Sequence, residues 1–197
     1  VRNVVCISGT SRPGNYTSRA LALVVEELGS LGENTLVFDA RDLDLSFPGH
    51  PPTADAERLS AAVDGAAGVI LASPEYHGGV CAMTKLIIEN LGFPSKLAGK
   101  PVAMLGVAAG RIGAIKSLEQ LKAICSHTGA IVVPGAVSIA GVRKVFDENG
   151  RCLDEGAEQA LRGLAGVMHG FLDDFVCPRY VLESLVRKDA RPRATTL

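Results

Sequence analysis

Between Gly9 and Thr17 the sequence GTSRPGNYT gathers the hydroxyls of Thr10, Ser11 and Thr17, the carboxamide of Asn15, the phenol of Tyr16 and one guanidinium, Arg12. A loop of this kind opening a helix suits an anion, because backbone N–H groups and the positive end of the helix dipole meet it there. Arg12 adds a charge-assisted contact with phosphate. The loop carries no carboxylate and no Lys at a phosphate-gripping position. Gly9 and Gly14 have the spacing of G-x-x-x-x-G-K-[ST], but Asn15 and Tyr16 follow, so it is not a Walker loop. Ser11 breaks the dinucleotide fingerprint G-x-G-x-x-G, and Pro13 breaks the hydrolase elbow G-x-S-x-G. The plain alternative is a polar turn capped for the next helix.

Two further stretches carry chemistry. SPEYHGGV, from Ser73, combines a stiff exit at Pro74, the aromatic plane of Tyr76 and the pair Gly78-Gly79, which lets a ligand approach backbone amides closely. That suits a flat heteroaromatic ring with amide donors for its carbonyls. GVAAGRIGA, Gly106–Ala114, is rich in small residues and can lie against such a ring without clashing.

The elements that must position these loops are legible in the hydrophobic pattern. Buried strands are read at Val4–Ser8, Thr35–Asp39, from Gly68 (GVILAS), from Pro101 (PVAMLGVA) and in AIVVPGAVSIA, where Pro134 must kink the strand or confine it to an edge. Helices are read at Ser18–Leu31, Ala54–Asp64, Val80–Leu91, Ile112–His127 and Asp154–Phe175. SFPGHPPTAD forbids regular structure, and VFDENGRCL is an exposed turn punctuated by Asn149-Gly150. Alternating buried strands and helices predict an α/β three-layer sandwich around a parallel sheet. Ligands then sit beyond the carboxyl ends of the strands, which is where the three loops fall.

The 197 residues read as one domain over residues 1–177, with a polar, mildly basic tail at 178–197 that serves as a mobile segment or a partner-binding arm. A net charge of −1 argues against nucleic acid or an acidic membrane surface as partner. No signal peptide and no membrane-spanning run are read. Five cysteines, an odd number without C-x-x-C spacing, point to reduced thiols and a cytoplasmic location. The four histidines are scattered, and no metal site is expected.

An anion site, an aromatic platform and a glycine-lined slot at one end of one sheet describe flavin mononucleotide (FMN). At these residues the sequence resembles the NAD(P)H-dependent FMN reductase family of the flavodoxin-like superfamily. That family shows G-S-x-R-x-x-S-x-N in the first loop and P-E-Y-N or P-E-Y-H in the second. Here the residues are Gly9-Thr10-Ser11-Arg12-Pro13-Gly14-Asn15-Tyr16-Thr17 and Pro74-Glu75-Tyr76-His77. The Gly110-Arg111-Ile112-Gly113 turn and VFDENG extend the resemblance over roughly residues 3–175. Where the family often reads P-G-x-L-K-N, this chain has Cys81-Ala82-Met83-Thr84-Lys85-Leu86.

The resemblance implies a flavodoxin-like, five-stranded parallel sheet of order 2-1-3-4-5. It implies that Thr10, Ser11, Arg12, Asn15, Tyr16 and Thr17 bind the FMN phosphate end. Pro74, Glu75, Tyr76, His77 and Gly78 then line the ring, with Gly110 nearby. The implied activity passes hydride from NAD(P)H through FMN to a small-molecule acceptor: free flavin, a quinone, an azo compound or a metal oxyanion. No side chain is assigned as catalytic, because the flavin carries the chemistry. A homodimer or homotetramer is implied too. A flavodoxin-type electron carrier is the competing class, although such carriers tend to be strongly acidic. A chain that has lost flavin binding is a third. His77 is read as a ring, nicotinamide or interface contact, or a solvated loop residue. Glu75 is read as ordering its loop, Cys81 as a buried filler, and His127 and His169 receive no role.

Overall fold

The computed structural model describes residues 2–189. Its sheet is built on β1 (Asn3–Ser8), β2 (Asn34–Asp39), β3 (Gly68–Tyr76) and β5 (Pro101–Val107), with a short antiparallel strand β4 (Gly79–Val80) and two short last strands, β6 (Ile131–Val132) and β7 (Val137–Ile139). The order is β2-β1-β3-β5-β6, with β7 also parallel on β5 and β4 paired only to β3. Taking β6 and β7 as one interrupted strand, this is the flavodoxin-like order 2-1-3-4-5. Pro134 lies in the interruption, as a residue without a ladder N–H must.

Among the described residues five helices cover the sheet, α1 (Tyr16–Ser30), α2 (Ala54–Asp64), α3 (Ala82–Glu89), α4 (Ile115–His127) and α5 (Glu155–Phe171), while α6 (Cys177–Asp189) contributes nothing to the core and leaves Tyr180, Val181, Leu182, Leu185 and Val186 exposed. Strand alternation sorts the core into two layers. Val4 and Cys6 join Leu21, Val24 and Leu28 of α1 and Leu161, Leu164 and Met168 of α5. Val5 and Ile7 join α2, α3 and α4 through Leu59, Ile87 and Leu121. With both faces covered, every residue of β1 after Asn3 is buried, which is why its sequence reads as a continuous apolar run.

Helix starts follow local chemistry. Asn15, Thr53 and Asp154 each accept the N–H of the third helical residue of α1, α2 and α5. The helices α3 and α4 begin at Cys81 and Ala114 without a side-chain cap of their own. Several boundaries differ from the sequence reading, among them the start of α1, at Tyr16 and not Ser18, and the end of α3, at Glu89 and not Leu91. The third strand runs on to Tyr76, so α3 starts later than Val80. Gly113, at φ 82°, delays α4 to Ile115. The last helix does not stop near Phe175: a π-helical turn at Leu172–Val176 leads into α6. Pro178, which has no N–H to give a helix, follows closely on that π-helical turn. Of the stretch read as a tail, 178–189 is thus helical, and 190–197 lies outside the described residues. No helix among the described residues is long and apolar enough to cross a membrane.

Candidate functional site

Between β1 and β3 the strand order reverses direction, and the crevice beyond such a point is where sheets of this class hold ligands. A cavity of about 520 Å³ opens there. Its walls come from residues 12–17 after β1, 74–76 at the end of β3, 107–109 at and just beyond the end of β5 and 142–143 after β7.

The first wall is held by close packing. Gly9 donates its N–H to the Ala72 carbonyl at 2.8 Å. A Cβ on Gly9 would stand 2.1 Å from the Thr84 hydroxyl oxygen and 3.0 Å from the Ala72 carbonyl, so only glycine fits. The buried Thr84 hydroxyl donates to the Gly9 carbonyl at 2.8 Å and lies 3.0 Å from the Ser73 hydroxyl. Farther along, the Ser18 hydroxyl lies 2.8 Å from that of Ser8 and donates to Asp39 Oδ2 at 2.8 Å, tying the start of α1 to the ends of β1 and β2. Burial alone would raise the Asp39 carboxyl. Hydrogen bonds from Arg41 and Ser18, with the Arg41 charge, outweigh it and hold the group below the usual carboxylate range.

Asn15 shapes the loop from both ends of its carboxamide. Its Oδ1 accepts from Ser18 N at 2.7 Å, and its Nδ2 donates to the Arg12 carbonyl at 2.8 Å. The N–H groups of Tyr16 and Thr17 stand at the opening of α1 without intrahelical acceptors. Arg12, exposed, has no ion-pair partner among the described residues.

The second wall is a ribbon where the sequence suggested a loop. Glu75 and Tyr76 pair with Val80 and Gly79 across a two-residue turn, His77-Gly78, whose φ angles are 52° and 71°. Both central residues are left-handed, as a type I′ hairpin turn requires. The ribbon docks on α4: Gln120 Oε1 accepts from Val80 N at 3.0 Å, and Glu75 Oε2 accepts from Ser117 N at 3.1 Å. The Glu75 carboxylate therefore caps a helix that its own sequence leaves uncapped. The Tyr76 phenol oxygen lies 3.4 Å from the Thr10 hydroxyl, joining the ribbon to the first loop.

The third wall needs small residues. A Cβ at Gly106 would meet Ala114 at 2.7 Å and Leu118 at 3.0 Å, and one at Gly113 would meet the Ser138 hydroxyl at 2.5 Å. The Ser138 hydroxyl accepts from Ala114 N at 2.8 Å, which fixes the start of α4 from the other side.

Of the residues singled out in the sequence, Arg12, Asn15, Tyr16, Thr17, Pro74, Glu75 and Tyr76 line the cavity. Thr10, Ser11, His77, Gly78 and Gly110 do not. Thr10 is buried and accepts from Arg12 N at 3.3 Å, and Ser11 is exposed. His77 and Gly78 form the ribbon's turn, and the Gly110 carbonyl accepts from Gly141 N at 2.9 Å, bracing the third loop. Sequence reasoning missed Thr84, Ser138 and Arg143. Arg143 follows a predicted strand, as the three loops do, but no ligand-binding groups accompany it in the chain.

A profile described as NADPH-dependent FMN reductase matches residues 2–144. The chain is 29% identical over 170 residues to the NAD(P)H-dependent FMN reductase PA1204 of Pseudomonas aeruginosa, covering 81% of this chain and 89% of that one. It is 32% identical over 173 residues to a quinone reductase of Escherichia coli, with the same two coverages. Among solved structures, FerB from Paracoccus denitrificans, a flavoenzyme NAD(P)H:(acceptor) oxidoreductase, aligns with a TM-score of 0.70 at 21% identity. That alignment covers 88% of this chain and 98% of FerB, and at this identity it speaks to fold.

Proposed function

The chain belongs to the NADPH-dependent FMN reductase family, and from that premise we propose that it is a flavin-dependent oxidoreductase that passes hydride from NAD(P)H through FMN to a small acceptor. Free flavin, a quinone, an azo compound or a metal oxyanion fits the acceptor role. One observation carries the reading: a single cavity of about 520 Å³ combines the open start of α1 and a guanidinium with no ion-pair partner among the described residues with a tyrosine-bearing ribbon and a wall of small residues. Its size falls in the range of small-molecule sites, and its donor set fits a phosphate at one end and a flat ring at the other.

FMN, when bound, supplies the two-electron chemistry. The protein's share is placement. Arg12, Thr17 and the N–H groups of Tyr16 and Thr17 hold the phosphate, with Asn15 and Thr10 shaping the loop around them. Pro74, Glu75 and Tyr76 with residues 107–109 flank the ring. Glu75 keeps the ribbon on α4 through Ser117 N. His77, Gly78 and Gly110 act one step back, through the turn and the loop brace. The family reading favours a homodimer or homotetramer, which light scattering on the purified chain measures.

The test is a visible spectrum of the protein after FMN addition and gel filtration, repeated anaerobically with NADPH and with NADH. Retained flavin that bleaches rapidly is the expected result. Retained flavin that neither nicotinamide reduces overturns the reductase in favour of an electron carrier. No retained flavin, together with no turnover of free FMN, overturns the flavin reading.

A further inference from the structure

The charges lining the cavity do not cancel. Arg12 and Arg143 both line it on exposed side chains, and neither is ion-paired with a described residue. The lining carboxylate, Glu75, accepts from Ser117 N at the start of α4. Arg143 sits on a short turn, Val142–Lys144, whose backbone is fixed at several points. Gly141, left-handed at φ 56°, donates to the Gly110 carbonyl at 2.9 Å, and Val142 donates to that of Ala108 at 3.0 Å. Val142 and Val145 are buried, so the turn presents only Arg143 and Lys144 outward.

The chain just beyond this turn lies against α1. The Phe146 ring packs 6.4 Å from that of Tyr16, and Arg19 donates to the Asp147 carbonyl at 2.6 Å. Arg143 is thus delivered to the cavity from the side that adjoins the opening of α1. A phosphate monoester carries about −1.5 to −2 charges near neutrality. Arg12 and the start of α1, the latter worth about half a charge, match only the lower end of that range, and Glu75 adds a negative charge to the same walls that leaves them short. A second guanidinium makes up the difference.

We propose that Arg143 is a phosphate-holding residue that clamps the 5′-phosphate of FMN against Arg12 and the start of α1. The proposal rests on the flavin reading above and assigns that site a residue from outside its three loops.

The test titrates flavin-free protein with FMN and, separately, with riboflavin, which lacks the phosphate, following flavin fluorescence. Arg143→Gln and Arg143→Lys are compared with the unaltered chain, and unchanged thermal melting checks that the variants fold. Arg143→Gln is expected to weaken FMN about ten- to a hundredfold, the worth of a hydrogen bond to a charged group, and to leave riboflavin unchanged. Arg143→Lys, which keeps charge without the planar fork, falls between. An equal loss for both flavins, or no loss for either, overturns the proposal. Unchanged FMN binding with a reduced preference for NADPH over NADH also overturns it, and moves the guanidinium to the nicotinamide nucleotide. If the unaltered protein binds neither flavin, it is the flavin reading that has failed.

Discussion

Replacing Gly9 by Ala tests whether the first loop is locked where the cavity needs it. The new Cβ would stand 2.1 Å from Thr84 Oγ1, 2.9 Å from Thr84 Cβ and 3.0 Å from the Ala72 carbonyl, all buried. Thr84 cannot move away cheaply, because its hydroxyl donates to the Gly9 carbonyl at 2.8 Å and meets Ser73 at 3.0 Å. Overpacking a filled core costs about 1–3 kcal/mol, and leaving the hydroxyl or its acceptor unpaired adds about 1–3 kcal/mol. A total of about 2–6 kcal/mol corresponds to a melting point lowered by on the order of 5–20 °C for a domain of this size. Thr84→Ala alone removes the hydrogen bonds and costs about 1–3 kcal/mol. Combining the two removes the 2.1 Å contact but not those with Cβ of residue 84 and the Ala72 carbonyl, so rescue is partial. The double variant is expected to be more stable than the sum of the singles predicts, by at least about 0.5 kcal/mol. Thermal or urea unfolding of the four proteins measures this cycle. Strict additivity would refute the lock, since it would mean that residues 9 and 84 do not meet.

Other perturbations probe the remaining walls. Glu75→Ala removes the cap of α4 and is expected to cost about 0.5–2 kcal/mol of stability. Glu75→Gln keeps an acceptor and is expected to lose only the dipole interaction, about 0.3–1 kcal/mol; equal melting shifts for the two would contradict the capping role. At the left-handed His77, Val is expected to destabilise by about 1–2 kcal/mol, whereas Gly is tolerated; circular dichroism melts separate them. Acid is expected to weaken the fold through Glu33. Burial pushes this carboxyl up, but hydrogen bonds from Arg2 and His169 prevail and hold it below its usual range. Its stabilisation is therefore complete above the unfolded carboxylate value of about 4.3 and drains away as pH falls through the lower folded value. Glu33→Gln should flatten the stability–pH curve in that acid window, and an unchanged slope would remove Glu33 from the account.

What the sequence disclosed and what it hid have separate physical causes. β1, β3 and β5 were readable because strands covered on both faces must be apolar throughout, and α2 because Thr53 caps it and an apolar stripe follows. The first loop was readable because its chemistry is local: a helix opening, hydroxyls and a guanidinium are neighbours in the chain. The ribbon was hidden by Pro74, which reads as the end of a strand. Yet the chain stays extended through Tyr76, because Glu75 and Tyr76 find partners in Val80 and Gly79. The signal was present in Tyr-His-Gly-Gly, whose central pair suits a left-handed turn, with His in place of the commoner Asn. Thr84 was hidden for a different reason. Its significance lies in a contact 75 residues away in the chain, with the carbonyl of Gly9. On sequence it is only a departure from a familial leucine. That departure does not open the core at α3, because its hydroxyl finds partners in Gly9 and Ser73. The same distinction governs Arg143. A guanidinium one turn past the last strand has no local signature, and only the turn's backbone bonds to Gly110 and Ala108 bring it to the cavity. A site assembled from four strand ends shows in sequence those parts whose ligand-binding groups are neighbours along the chain. The parts delivered by tertiary contacts show only once the strand order is known.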